Sequence, residues 1–237
     1  MAEMVTVFGA DGSEGNEVAS ALLQDGNFKL RAAVSELASP AAQHLQASGA
    51  QTVVVDYNQT STIDSALRDA HKCFVVTDMD FNSTDPLSCV FICLLESLYS
   101  LPARHMDAKA CINDYMNEIA LPKTEIIVPF YFENFLTTFK PTPSGKDTYK
   151  IAIPMGETAM DGISVKQIGP IVTALFKAPE RWTGKSCFLS ADRLEIKEYG
   201  QILSEYLDPK RIKDSRTRCV QSPDLRLQPL KLITERI

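Results

Sequence analysis

The chain has 237 residues, a formal net charge of -6, 45% hydrophobic and 23% charged residues. That length can bury one sizeable α/β core with a small appended lobe, and the composition is that of a globular protein. The negative charge argues against general nucleic-acid binding, which needs cationic surface to neutralise phosphates, and the longest apolar run, Cys89 to Leu95 between Ser88 and Glu96, falls short of membrane length.

The first residues run directly into an apolar strand at Val5, Val7 and Phe8, so no signal peptide is expected. The chain then turns through Gly9, Gly12 and Gly15 into a helix whose inner face carries Gly15, Val18, Ala19, Leu22 and Leu23 at helical spacing. Glycines in this context serve a dinucleotide: residues without a Cβ let the backbone approach a pyrophosphate, and the helix N-terminus offers free N–H groups and a favourable dipole. Ala10 to Glu14 would supply the backbone donors. Asp11 and Glu14 work against this, because they bring carboxylates close to the phosphate position.

Leu30 to Val34 reads as a second strand. Ser35 and Glu36 follow it, where such a fold reads the adenosine ribose; Glu36 leans toward NAD, with an exposed loop glutamate as the plain alternative. Ser39 and Pro40 start a helix that stops at Gly49. Thr52 to Val55 makes a third strand with Asp56 at its carboxyl end. A short helix through Ile63, Ala66, Leu67 and Ala70 leads to a fourth strand, Cys73 to Val76, ending at Thr77 and Asp78. This βαβαβαβ alternation implies a parallel sheet with helices on both faces.

The alternation falters between Val76 and Cys89, where turn formers replace a helical crossover. It recovers from Asp107 with an apolar stripe at Ala108, Cys111, Ile112, Tyr115, Met116 and Ile119, and a strand at Glu125 to Val128. Lys150 to Ile153 and Ala159 to Ile163 read as strands. Ser164 is expected to cap a helix carrying Val165, Ile168, Val172, Leu175 and Phe176 inward. A last strand at Ser186 to Leu189 precedes a helix through Ile196, Tyr199, Ile202, Leu203 and Tyr206. The six cysteines include no CxxC pair and read as core thiols of a reducing cytosol, with redox sensing by one of them as the alternative and no metal site expected.

These motifs together resemble the NmrA-like family, atypical members of the short-chain dehydrogenase fold, and most nearly its vertebrate redox-sensor branch. The carriers are GADGSEG from Gly9, HMDAK at His105 to Lys109, YFENFL at Tyr131 to Leu136, PMGETAMDGISVKQIGP from Pro154, and EYGQIL in the last helix. The resemblance implies a Rossmann-type α/β domain (residues 1–128) and a small C-terminal α+β lobe (129–207); the tail (208–237) diverges from the family, and its basic charge with Pro209, Pro223 and Pro229 leads to the expectation that it is poorly ordered. It implies NADP (NADPH) or NAD as a cofactor, with binding weakened by this chain's departures from the family, and the expected contacts are Gly9, Ala10, Asp11, Gly12, Ser13, Glu14, Ser35, Asp56, Thr77, Lys109, Tyr131, Phe132, Glu133 and Asn134.

The resemblance further implies a redox-linked sensor or scaffold acting on transcriptional or signalling proteins in the cytoplasm and nucleus. A homodimer is allowed; direct nucleic-acid or membrane binding is not expected. The family's branch lacks the catalytic Tyr-x-x-x-Lys, and His105 stands in the tyrosine's place here with Lys109 in the lysine's. No catalytic residue is therefore expected, with a residual NAD(P)-dependent oxidoreductase as the alternative. Ser35 occupies the position of the family's 2′-phosphate arginine, a further departure that weakens NADP binding.

Overall fold

The computed structural model describes residues 2–76 and 112–215. The elements in chain order are β1 (Met4–Phe8), α1 (Ser13–Asp25), β2 (Lys29–Val34), α2 (Pro40–Ala47), β3 (Gln51–Val54), α3 (Thr60–Leu67) and β4 (Lys72–Phe74). A helix α4 covers residues 112–118. It is followed by β5 (Glu125–Ile127), β6 (Phe130–Tyr131), β7 (Thr142–Gly145), β8 (Thr148–Ile151), β9 (Met160–Ile163), α5 (Ile168–Lys177), α6 (Pro179–Trp182), β10 (Ser186–Phe188), β11 (Asp192–Leu194), α7 (Ile196–Tyr206) and β12 (Arg211–Asp214). The expected strand at Cys89 to Leu95 lies outside the described residues, as does the start of the helix expected from Asp107.

The described chain forms two compact units, Met1–Ile127 with Val165–Phe188, and Val128–Ser164 with Leu189–Ile237. In the first, four parallel strands lie in the order β3-β2-β1-β4, with Thr6 beside Arg31 and Cys73, and Ala32 beside Thr52. Val5 to Phe8 and Leu30 to Val34 are buried throughout, the continuous burial that flanking helices impose on a parallel sheet. Strand alternation explains why Cys73 is exposed, against the expectation of a core thiol: its neighbour Phe74 takes the inward position.

Arg31 is the exception inside this core. Its guanidinium donates to the carbonyls of Ala66 at 2.8 Å and Arg68 at 2.5 Å and to Gln51 Oε1 at 3.2 Å, while Thr6 Oγ1 also donates to the Ala66 carbonyl. A cation at the last turn of α3 meets both the orphan carbonyls and the negative end of the helix dipole, which repays its burial.

Val165–Phe188 returns to this first unit after the chain has entered the second, whereas the sequence suggests contiguous domains. The return follows from α5 packing on α1. A Cβ on Gly169 would lie 2.3 Å from the Glu17 carbonyl oxygen, so the helices approach closely there. Phe28 and Phe176 meet edge to face at 6.3 Å between ring centroids, and Lys177 pairs with Asp25. A 3-10 turn at Val165–Gln167 precedes α5, which starts at Ile168 with Gln167 at its N-cap, later than Ser164 suggests. Strand β10 pairs parallel with β5 in this unit.

Among the described residues, the second unit has two three-stranded sheets, β11-β9-β6 and β12-β8-β7. Its core gathers Phe135, Ile151, Ile153, Ile196, Tyr199 and Ile212. Residues 208–215 correct the expectation of a loose tail from Asp208. Strand β12 pairs with β8, Ile212 is buried, and its N–H donates to Ser204 Oγ at 2.7 Å. Gly200 lets α7 approach this strand, since a Cβ there would already be 3.0 Å from the Ile212 carbonyl oxygen.

Candidate functional site

The site begins where β1 ends. Gly9 has φ 63°, a left-handed conformation that favours glycine, and it turns the chain back so that the Gly12 N–H donates to the Gly9 carbonyl at 2.9 Å. The Ala10 N–H ties the same turn to the end of β2 through the Ala33 carbonyl, at 3.0 Å. Gly15 permits the helix to start against this turn, because a Cβ would stand 2.1 Å from the Gly9 carbonyl oxygen and 3.0 Å from Ala10 Cα.

Helix α1 opens with Gly12 at its N-cap, and no cap side chain takes up the N–H groups of the first turn. The first intrahelical bond is Asn16 N–H to the Gly12 carbonyl, at 3.0 Å. The backbone amides of Ser13, Glu14 and Gly15 therefore precede the helical ladder, as the first amides of any helix do. Asn16 Nδ2 donates to the Ala10 carbonyl at 3.3 Å and braces the turn. In the linear chain Asn16 is one more polar residue beside the glycines, with no local signal of this contact.

The two acids have different neighbours. Glu14 accepts from the hydroxyl of Ser13 at 2.6 Å. Asp11 reaches across to the end of β2, where its Oδ2 accepts from the Ser35 N–H at 2.8 Å and from the Ser35 hydroxyl at 2.5 Å. The structure thus brings Gly9, Ala10, Asp11, Gly12, Ser13, Glu14 and Ser35 into one cluster at the carboxyl ends of β1 and β2. On neighbouring β3, Asp56 follows the strand and binds its own turn. The Asn58 N–H and then the Gln59 side chain hold its carboxyl below the usual value.

Tyr131, Phe132, Glu133 and Asn134 belong to the second unit. Tyr131 pairs with Ile163 across β6 and β9, and the Phe132 ring packs with Tyr199 at 6.0 Å between centroids. Gly162 makes room for that ring, since a Cβ would be 2.2 Å from Phe132 Cε1. Glu133 Oε1 accepts from Ser164 Oγ at 2.5 Å, and the Asn134 carbonyl accepts from the N–H of Phe139 at 2.8 Å. Thr77 and Lys109 lie outside the described residues, as does His105. Among the described residues no group of His, Cys, Asp or Glu could hold a metal ion, and no helix is long and apolar enough to cross a membrane.

A parallel sheet in the order β3-β2-β1-β4, with its first strand turning through glycines into a helix N-terminus, defines a protein of the Rossmann-type dinucleotide-binding class by fold. The chain belongs to the NmrA-like family, whose profile matches residues 1–85 and 95–211.

Among relatives, the NmrA-like family domain-containing oxidoreductase cpsB of Aspergillus campestris is 40% identical over 84 residues, 35% of this chain and 24% of that protein. The corresponding oxidoreductase himF of Aspergillus japonicus is 25% identical over 236 residues, 83% of this chain and 71% of that protein. The chain therefore spans about a quarter of the first and under three quarters of the second.

Among solved structures, NmrA, a negative transcriptional regulator in complex with NADP, superposes with a TM-score of 0.77 at 19% identity, covering 92% of this chain and 75% of that one. The triphenylmethane reductase of Citrobacter sp. complexed with NADP(H) gives 0.73 at 16% identity, covering 89% and 78%. At such identities the likeness is one of fold.

Proposed function

We propose that the chain is a non-catalytic regulatory member of its family, which binds NAD(P) and acts as a redox-linked sensor or scaffold on transcriptional or signalling proteins of the cytoplasm and nucleus. The observation that carries the binding half is the glycine turn. Gly9 bends the chain, Gly15 brings the helix start against the bend, and the first-turn amides of α1 have no cap side chain. Those amides, from Ser13 to Gly15, would hold the diphosphate, with Ser35 and Asp11 beside the adenosine ribose. When bound, the dinucleotide would supply hydride chemistry; a sensor uses only its binding.

The regulatory half is supported by the absence of Tyr-x-x-x-Lys around His105 and Lys109, by the resemblance to the vertebrate redox-sensor branch, and by the described role of NmrA as a transcriptional regulator. The names of cpsB and himF favour a second reading, a residual NAD(P)-dependent oxidoreductase.

Titration of the pure protein with NADH and NADPH, followed by cofactor fluorescence, tests binding, and saturation in the micromolar range is expected. Incubation with a panel of aldehydes and quinones separates the two readings. Steady consumption of reduced cofactor, abolished in Lys109→Ala, would replace the first by the second.

A further inference from the structure

The contact between Asp11 and Ser35 lies at the ribose-reading end of β2, where this fold distinguishes a free 2′-hydroxyl from a 2′-phosphate. A 2′-phosphate is held there by a cation and by hydrogen-bond donors; a free ribose is read by a carboxylate that accepts from its hydroxyl. In this chain Ser35 offers an N–H and an O–H, and both are taken by Asp11 Oδ2. Asp11 Oδ1 accepts no hydrogen bond from the described residues. The next residue, Glu36, adds a second acid. The guanidinium on β2, that of Arg31, is buried and committed to the carbonyls of Ala66 and Arg68.

We propose that Asp11 is the specificity-determining residue of the dinucleotide site and selects NAD(H) over NADP(H). This rests on the binding reading above. The acid comes from the glycine turn rather than from the end of β2. It occupies the donors a phosphate would need, opposes the phosphate's charge, and leaves Oδ1 able to accept from a ribose hydroxyl. Its hydrogen bonds to Ser35 tie the carboxylate to the end of β2, where the adenosine ribose would lie.

Calorimetric titration with NAD⁺ and NADP⁺ tests the assignment on the wild-type chain, on Asp11→Asn, which keeps an acceptor for Ser35 but removes the charge, and on Asp11→Ala, which frees both Ser35 donors. The wild type is expected to bind NAD⁺ at least about tenfold more tightly than NADP⁺, and each variant to narrow that ratio several-fold, mainly by tighter NADP⁺ binding. Added salt should narrow the wild-type ratio more than that of either variant. Equal or reversed affinities in the wild type, or an unchanged ratio in folded variants, overturn the assignment and leave dinucleotide binding standing. Absence of saturable binding of either dinucleotide by the wild type overturns both.

Discussion

Replacing Gly15 with alanine tests the tightness of the turn on which the site depends. The added methyl would sit 2.1 Å from the Gly9 carbonyl oxygen and 2.6 Å from its carbon, whereas unstrained contact between heavy atoms needs about 3.5 Å. The turn has no inexpensive way to move aside. The Ala10 N–H holds it to Ala33 at 3.0 Å, the Gly12 N–H closes it at 2.9 Å, and Gly9 is committed to its left-handed φ. Overpacking at the upper end of its normal range costs about 3 kcal/mol. The better helix propensity of alanine returns about 1 kcal/mol, which leaves a net loss of about 2 kcal/mol.

The assay is urea unfolding followed by Trp182, the single tryptophan of the chain, which sits in α6 of the first unit. A fall in the midpoint without a change in slope is expected. Gly145→Ala provides the comparison, because its Cβ would meet Thr148 at an ordinary 3.7 Å, and far-UV circular dichroism should find it within about 0.5 kcal/mol of wild type. A Gly15→Ala protein that loses less than about 0.5 kcal/mol would refute the reasoning, since the helix start would then have room to spare.

Arg31→Met keeps an aliphatic stem in the core but removes the donors to Ala66 and Arg68. A loss of about 2 kcal/mol is expected, with faster amide exchange across α3, and unchanged exchange there would count against the capping role. The Tyr199 phenol is pushed up to about 12 by burial and then by the charges of Asp192, Asp161 and Glu198. Below pH 10, the group's ordinary value, folded and unfolded chains both hold this proton; between 10 and 12 the unfolded chain releases it first, so stability falls as pH rises through that window. Tyr199→Phe should remove this alkaline loss at a cost of about 1 kcal/mol at neutral pH from the lost bond to the Met160 carbonyl. Absorbance titration of the wild-type phenol checks the shift, and ionisation near pH 10 would contradict it.

The glycine turn, the parallel alternation through β4 and the family were legible in the linear chain because their signals are local. A left-handed bend favours glycine, buried parallel strands favour apolar runs, and Ser39 with Pro40 marks the start of α2. Other features depend on partners far away in sequence. Strand β12 has one apolar residue, Ile212, and forms because β8 offers backbone partners and Ser204 a hydroxyl. Val165–Phe188 rejoins the first unit because Gly169 has no side chain to keep α5 off α1.

Asp11 makes the contrast sharpest. Within GADGSEG it is an acid at the wrong end of a phosphate site. Folding brings Ser35 to it across 24 positions of chain, and two hydrogen bonds tie its carboxylate to the end of β2. Composition and spacing determined that this chain would build such a turn; only the pairing of β1 with β2 decided where the carboxylate on it would point, because hydrogen bonds form between groups that the backbone has already placed within about 3 Å of each other.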